Sequence, residues 1–170
     1  LKWMNGQHMR AMEHGELWNR LVPFLKQDGQ NFDHQSVGWV DKTLGVLKTS
    51  FETLLEAVPV FKTLSDEHFQ IAEDASEVLK WPTTALVLST WKNLVQEKAG
   101  DDFTEAEFLE MQKKIQETCK VKGKELFMAL RVGIIGKPHG FELKQLVPLM
   151  SKKSLLMRAE KVIAASTAGH

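Results

Sequence analysis

The apolar residues of this 170-residue chain recur at helical spacing along almost its entire length. Steps of three and four residues place side chains on one face of an α-helix, whereas a half-buried strand requires strict alternation. Leu88, Trp91 and Val95 follow the helical spacing, and no alternating stretch is long enough to predict a strand. The sequence therefore predicts an all-α protein.

The first part of the chain predicts three helices. The stripe over residues 17–25 contains Pro23, which predicts a kink or an early end, because proline removes a backbone donor. A second stripe continues over residues 37–58 and is closed by Pro59. Ser65 is a predicted N-cap, since the acidic residues that follow it suit the positive end of a helix dipole.

A break at Trp81-Pro82 divides the chain. The residue before a proline is pushed out of helical geometry, so one helix ends here and the next is predicted over residues 83–98. We therefore expect two helical lobes, one over residues 1–80 and one over residues 81–170.

Turn and cap signals divide the second lobe further. Thr104 and Glu107 have the spacing of a capping box, which predicts a helix start. The glycines and proline of residues 136–140 predict a loop. Two short helices are predicted to finish the chain, with breaks near Pro148 and Ser151.

Charge is distributed unevenly although the net charge is zero. Residues 1–110 hold 10 Lys/Arg and 18 Asp/Glu, a net of −8, whereas residues 111–170 hold 12 and 4, a net of +8. Such asymmetry is typical of a protein with one polyanion-facing end. The alternative is a helical protein-interaction module whose oppositely charged halves meet a partner protein or each other.

Several classes of protein are disfavoured by composition. Cys119 is the only cysteine, so no internal disulfide can form, and a reducing, cytoplasmic location is expected. No apolar run approaches the roughly 20 residues that span a bilayer. The chain begins at Leu1 rather than Met, which suggests a piece of a longer protein. We also expect a monomer.

No residues with the pattern of a catalytic or metal site stand out. None of the six histidines pairs with another at metal-ligand spacing. Gly133, Gly136 and Lys137 faintly resemble a phosphate loop, but the spacing is wrong and Pro138 follows the lysine. We therefore predict no catalytic residue, metal or cofactor in these residues.

The basic third holds the residue types that bind single-stranded RNA. Phe141 lies in a loop near Arg131, and bases stack on such groups while lysines hold the phosphates. The alternative for Phe141 is a hydrophobic loop anchor. The candidate phosphate-facing lysines are Lys113, Lys120, Lys124, Lys137 and Lys144.

Three blocks of sequence carry a family pattern. The first is Trp-Met-Asn-Gly at residues 3–6 followed by Arg10, and the second runs from Lys122 through Leu130-Arg131 to His139-Gly140. The third covers residues 149–159. Together these blocks resemble bacterial glutamyl-tRNA synthetases, although Ala129 and Phe141 stand where that family usually or often has proline.

The resemblance implies an all-helical anticodon-binding region of the class I glutamyl-tRNA synthetase type. In that family the whole protein attaches glutamate to tRNA with ATP and Mg²⁺, in a catalytic domain whose signatures these residues lack. The resemblance therefore implies a chain that binds tRNA without catalysing the reaction. Glutamate tRNA is the expected partner, and glutamine tRNA is a second candidate.

The resemblance also implies a set of contact residues. Positions that match Arg131, Gly140, Phe141 and Leu143 lie against the anticodon bases in the family. Ser50 stands where members that select glutamate tRNA carry an arginine, which is linked to accepting cytosine as the third anticodon base.

Overall fold

The computed structural model describes residues 6–168, and every regular element in that range is helical. The all-α prediction is therefore confirmed. The α-helices of this range are α1 (Gly6–Ala11), α2 (His14–Gln27), α3 (Val37–Leu47), α4 (Leu54–Lys62), α5 (Ser76–Lys80), α6 (Thr84–Glu97), α7 (Glu105–Cys119), α8 (Lys124–Ile135), α9 (Leu143–Leu146) and α10 (Lys152–Ala168).

Two compact units make up the chain, one ending at Phe69 and the other beginning at Gln70. The sequence placed the boundary after residue 80, at the Trp81-Pro82 break. That break does end α5, yet α5 packs against α6, α8 and α10, so it belongs to the second unit. A proline can end a helix without ending a domain, because tertiary packing decides which elements stay together.

Pro23 lies inside α2, which continues to Gln27, so the alternative of an early end is wrong. Proline removes the hydrogen bond that would reach the carbonyl of Asn19. Both Pro23 and Asn19 are exposed, so water can satisfy that carbonyl. The missing donor is therefore tolerated at this position.

The single helix predicted over residues 37–58 is wrong. Helix α3 ends at Leu47, a 3₁₀ turn follows over Lys48–Ser50, and Phe51 is extended. Pro59 does not close a helix but lies inside α4. The apolar residues of α3 and α4 keep the same helical spacing across the turn between the two helices, so the spacing alone predicted one helix.

A local cap explains why a new helix begins here. The Oγ1 of Thr53 accepts a hydrogen bond from the backbone N–H of Glu56 at 3.1 Å. In return, Oε1 of Glu56 accepts one from the N–H of Glu52 at 2.9 Å. The first bond satisfies a donor that a helix start leaves free, and the second holds the Glu56 side chain against the residue before the N-cap. Leu55, in the first turn, is exposed.

Two further helix predictions are wrong. Ser65 does not cap a long helix, since its Oγ is hydrogen-bonded to Nδ1 of His68 at 2.8 Å, and only a 3₁₀ turn over Asp66–His68 follows. The end of the chain does not consist of two short helices either. Helix α10 has 17 residues, because the predicted break at Ser151 precedes that helix rather than interrupting it.

The capping box at the start of α7 is confirmed. Thr104 Oγ1 accepts from the N–H of Glu107 at 3.1 Å, and Glu107 Oε1 accepts from the N–H of Thr104 at 2.9 Å. The pKa of the Glu107 carboxyl is lowered, most by the hydrogen bond from the Thr104 N–H and next by the hydrogen bond from Lys98. Helix α7 therefore begins where the sequence predicted.

Helix α6 is central to the second unit and packs against α7, α8 and α10. The predicted stripe of Leu88, Trp91 and Val95 is fully buried. At the α6–α8 contact, a Cβ on Gly133 would lie 2.3 Å from Cδ2 of Leu88. A side chain at position 133 would therefore force the buried Leu88 side chain to move.

A buried arginine joins α10 to the end of α8. The Arg158 side chain is 1% exposed. Its Nη1 donates to the carbonyl of Ile134 at 2.9 Å, and its Nε donates to Oγ of Ser154 at 3.2 Å. The guanidinium thus satisfies one of the carbonyls that the C-terminal turn of α8 leaves free.

We predict that Gly133→Ala destabilises the second unit by about 1–3 kcal/mol, the usual cost of overpacking a well-packed core. The matched control is Gly45→Ala, also within a helix, where the nearest atom to an added Cβ is 3.8 Å away. That change should be neutral or stabilise by up to about 1 kcal/mol. Chemical denaturation of the whole chain measures both effects, and equal stability of the two variants would contradict the prediction.

Candidate nucleic-acid interface

Helix α8 presents a basic and aromatic face. Gly123 (φ 60°) precedes the helix and Gly136 (φ 77°) ends it in the left-handed conformation that glycine adopts without strain. Between them, Lys124, Phe127 and Arg131 are spaced by three and four residues, so they lie on one face. The opposite side of α8 contributes buried residues to the core.

A groove of about 200 Å³ lies in the second unit beside this face. Its buried residues are Phe108 and Leu143, and its exposed apolar residues are Leu109 (42% exposed) and Phe127 (40% exposed). The polar residues that line it are Gln112, Arg131, Glu142 and Lys144. The groove therefore combines an apolar interior with amide and charged groups.

The two cations of the groove differ in their partners. The Nζ of Lys144 lies 3.7 Å from Oε2 of Glu142 and 3.9 Å from Oε1 of Glu105, so carboxylates share its charge. Within residues 6–168, the Arg131 side chain makes no hydrogen bond or ion pair. Its planar guanidinium is therefore the group in the groove that is most available to an incoming acceptor.

The predicted anticodon-binding residues are brought together only in part. Arg131 and Leu143 both line the groove, but the Leu143 side chain is buried and shapes the interior. Gly140 is exposed with φ of 141°, a conformation that favours glycine. Phe141 is half-buried and is not among the residues that line the groove, so its stacking role stays a prediction.

The predicted phosphate-facing lysines other than Lys144 are exposed, namely Lys113, Lys120, Lys124 and Lys137. Lys113 follows Leu109 by one helical turn in α7, which places it on the groove side of that helix. The Nζ of Lys124 lies 5.9 Å from the centroid of the Trp81 ring, a cation–π contact.

Ser50 belongs to the first unit, where it is exposed at the end of the 3₁₀ turn after α3. The nearby Lys48 is engaged, since its Nζ donates to the carbonyl of Arg10 at 3.0 Å. Lys48 is therefore a poor substitute for the arginine that the resembling family places at the position of Ser50.

Five residues that line the groove were not among the predicted site residues, namely Phe108, Leu109, Gln112, Phe127 and Glu142. Phe127 precedes Arg131 by one helical turn, so helical spacing alone could have placed it beside the candidate arginine. Leu109 and Gln112 lie on another helix, and the sequence carries no signal that brings them there.

Comparison with known proteins identifies the family. A family described as an anticodon-binding domain matches residues 16–163. The chain belongs to this family. It is also 45% identical over 163 residues to the glutamate–tRNA ligase of Bdellovibrio bacteriovorus, and 30% identical over 166 residues to that of Bacillus mycoides. The predicted resemblance is thereby confirmed.

Each of these matches covers 96% of this chain but only 33–34% of the relative, so the chain spans about a third of the length of these curated proteins. A solved glutamate tRNA ligase from Elizabethkingia meningosepticum, in complex with its amino acid, has the same fold over 94% of this chain and 31% of its own. The TM-score is 0.76 at 18% sequence identity.

Other kinds of site are not found in the described part of the chain. Residues 6–168 contain no group of three or more His, Cys, Asp or Glu side chains that could hold a metal ion. No helix in that range is long and apolar enough to cross a membrane.

We predict that Arg131→Lys weakens tRNA binding about tenfold, because lysine keeps the charge but loses the planar fork of donors. The control is Arg20→Lys in the first unit, where the arginine is exposed and paired with Glu16 at 3.3 Å. That variant should bind as the wild type does. Equal affinities of the two variants in a binding titration would show that Arg131 does not contact the RNA.

Phe141→Ala separates the two interpretations of that ring. If the ring stacks on a base, the variant should bind tRNA more weakly by about 1–3 kcal/mol, and its melting temperature should not change. A loop anchor predicts a lower melting temperature with little change in affinity. Titration and thermal denaturation of the same sample distinguish them.

Proposed function

We propose that this chain is the anticodon-binding region of a glutamate–tRNA ligase, and that it holds tRNA while a catalytic domain elsewhere in the protein attaches glutamate. The observation that carries the proposal is the groove beside α8, in which the Arg131 guanidinium has no partner within the described residues. The match to glutamate–tRNA ligases over 96% of the chain supports the choice of amino acid.

The groove suits an anticodon for physical reasons. Anticodon bases are unpaired before decoding, so their faces can stack on aromatic rings and their edges can accept or donate hydrogen bonds. Arg131 offers donors only, whereas Gln112 offers both donors and an acceptor. In this proposal the exposed Lys113 of α7 and Lys124 of α8 bind phosphates.

Catalysis belongs, in this proposal, to the part of the protein that this chain does not span. There ATP and Mg²⁺ would be bound and glutamate activated, so this chain by itself should form no glutamyl-adenylate. We further propose a monomer that acts in the cytoplasm, where the free thiol of Cys119 would stay reduced.

The rival proposal is a helical protein-interaction module. Its support is the acidic character of residues 1–110 against the basic character of residues 111–170, which would let the halves meet a partner protein. This rival predicts no salt-dependent binding of tRNA, so a single titration series separates the two proposals.

Affinity for tRNA should fall steeply with salt. For contacts to single-stranded RNA, log affinity is expected to fall against log salt with a slope of about 0.7 per neutralised phosphate. Lys124→Gln should lower that slope by about 0.7, whereas Lys161→Gln, an exposed lysine of α10 away from the groove lining, should leave it unchanged. A flat response of the wild type would favour the protein-interaction module.

We also propose that the protein discriminates weakly between glutamate and glutamine tRNAs. These tRNAs differ at the third anticodon base, cytosine against guanine. A guanidinium presents fixed donors to the acceptor edge of cytosine, and guanine would leave those donors unpaired. Ser50 has only one short hydroxyl, so guanine at this position would leave few polar groups of the protein without a partner. Lys48 does not supply the missing donor, because its ammonium binds the Arg10 carbonyl.

Ser50→Arg should therefore increase the preference for glutamate tRNA over glutamine tRNA by about tenfold or more, since each 1.4 kcal/mol of differential binding is tenfold. Both tRNAs are titrated against wild type and variant, with Thr49→Arg as the control for an added charge on the same turn. A wild type that already prefers glutamate tRNA by about a hundredfold, or 2.7 kcal/mol, would contradict the proposal.

A further inference from the structure

We infer that Phe127 is the stacking platform for one unpaired RNA base, which enters the groove between α7 and α8. The inference rests on the proposed tRNA binding and adds a contact residue to it. The candidates taken from the sequence and from the family resemblance do not include Phe127.

The exposure of Phe127 is the first observation. Its side chain is 40% exposed, and across the groove Leu109 is 42% exposed, so two apolar side chains border the same opening. Phe108, which also lines the groove, is buried and packs edge-on against Trp91, with ring centroids 5.7 Å apart. The groove therefore has a packed floor and an open apolar rim, which an inserted flat group would cover.

Charge decides the kind of occupant. Lys124 and Arg131 flank Phe127 on one face of α8, and Lys113 follows Leu109 on α7. A peptide segment with apolar side chains would bury Phe127 but would bring no negative charge to Arg131 and the two lysines. A nucleotide satisfies both, because its base offers a flat face to the ring and its phosphate or base edge offers acceptors to the cations.

The size of the groove suits a single base. The groove volume of about 200 Å³ is below the roughly 300–1,000 Å³ that drug-sized ligands occupy. The amide of Gln112 and the guanidinium of Arg131 both line this space, so they are the groups available to a base edge. Phe127 thus supplies stacking, while these two residues supply hydrogen bonds.

The test compares three variants of the full 170-residue chain in titrations with glutamate tRNA. Phe127→Leu keeps an apolar side chain but removes the ring, and it should weaken binding about 5- to 150-fold. Phe127→Tyr keeps the ring and should retain most of the affinity. Leu86→Ala is the control, because Leu86 is 52% exposed in the same unit and does not line the groove. Far-UV circular dichroism and melting temperature verify that each variant is folded.

The same titrations with tRNAs that each lack one anticodon base identify the stacked base. For the tRNA that lacks it, Phe127→Leu should cause no further loss, because the contact is already absent. An equal loss on every such tRNA would mean that the ring only shapes the helix, and the inference would be wrong. If Phe127→Leu binds all tRNAs as the wild type does, with the salt dependence intact, the inference fails while the proposed function stands. Absence of tRNA binding by the wild type would instead refute the proposed function.

Discussion

The second unit depends on a charged side chain in its interior. Removing a guanidinium from water is costly unless each of its donors finds an acceptor. Two donors of Arg158 have acceptors, since Nη1 donates to the Ile134 carbonyl at the C-terminal end of α8 and Nε donates to Oγ of Ser154. One residue beyond the helix, the carbonyl of Gly136 accepts from the N–H of Ala72 at 2.8 Å. Both bonds satisfy carbonyls at a helix end and hold it in place, so the position of α8 and of the loop that follows is set from its C-terminus.

The position of α8 in turn decides what its two faces do. On the side of α6, Gly133 packs against the Leu88 side chain and leaves no room for a Cβ unless Leu88 moves. On the other side, Phe127 and Arg131 remain open beside the groove. Because Phe127 is 40% exposed, it gives up only part of the roughly 1.5–3 kcal/mol that full burial of such a ring contributes. A helix fixed so firmly on one face can tolerate this loss on the other, and the proposed RNA contact would recover it.

Local signals predicted some elements well and others poorly. The capping box of Thr104 and Glu107 was predicted correctly because both of its hydrogen bonds are made within four residues. The helix predicted over residues 37–58 was wrong because an apolar stripe records only spacing, and spacing is the same whether a turn interrupts it or not. Thr53 carried the missing signal, since it caps α4. Ser65 gave a false N-cap signal, because its hydroxyl is hydrogen-bonded to the His68 ring instead of to a backbone N–H.

The sequence by itself determined the helical class, the basic final third and the family resemblance, because spacing, charge and motif order are properties of the chain alone. It also pointed to Arg131 as a contact residue. Only the tertiary structure decided that Leu143 is buried, that Phe141 does not line the groove, and that Phe127 does. The physical reason is that α7, α8 and the start of α9 form the groove together. Which side chains line it depends on how closely the helices pack and on which face each turns outward, and neither is encoded in the spacing of one segment.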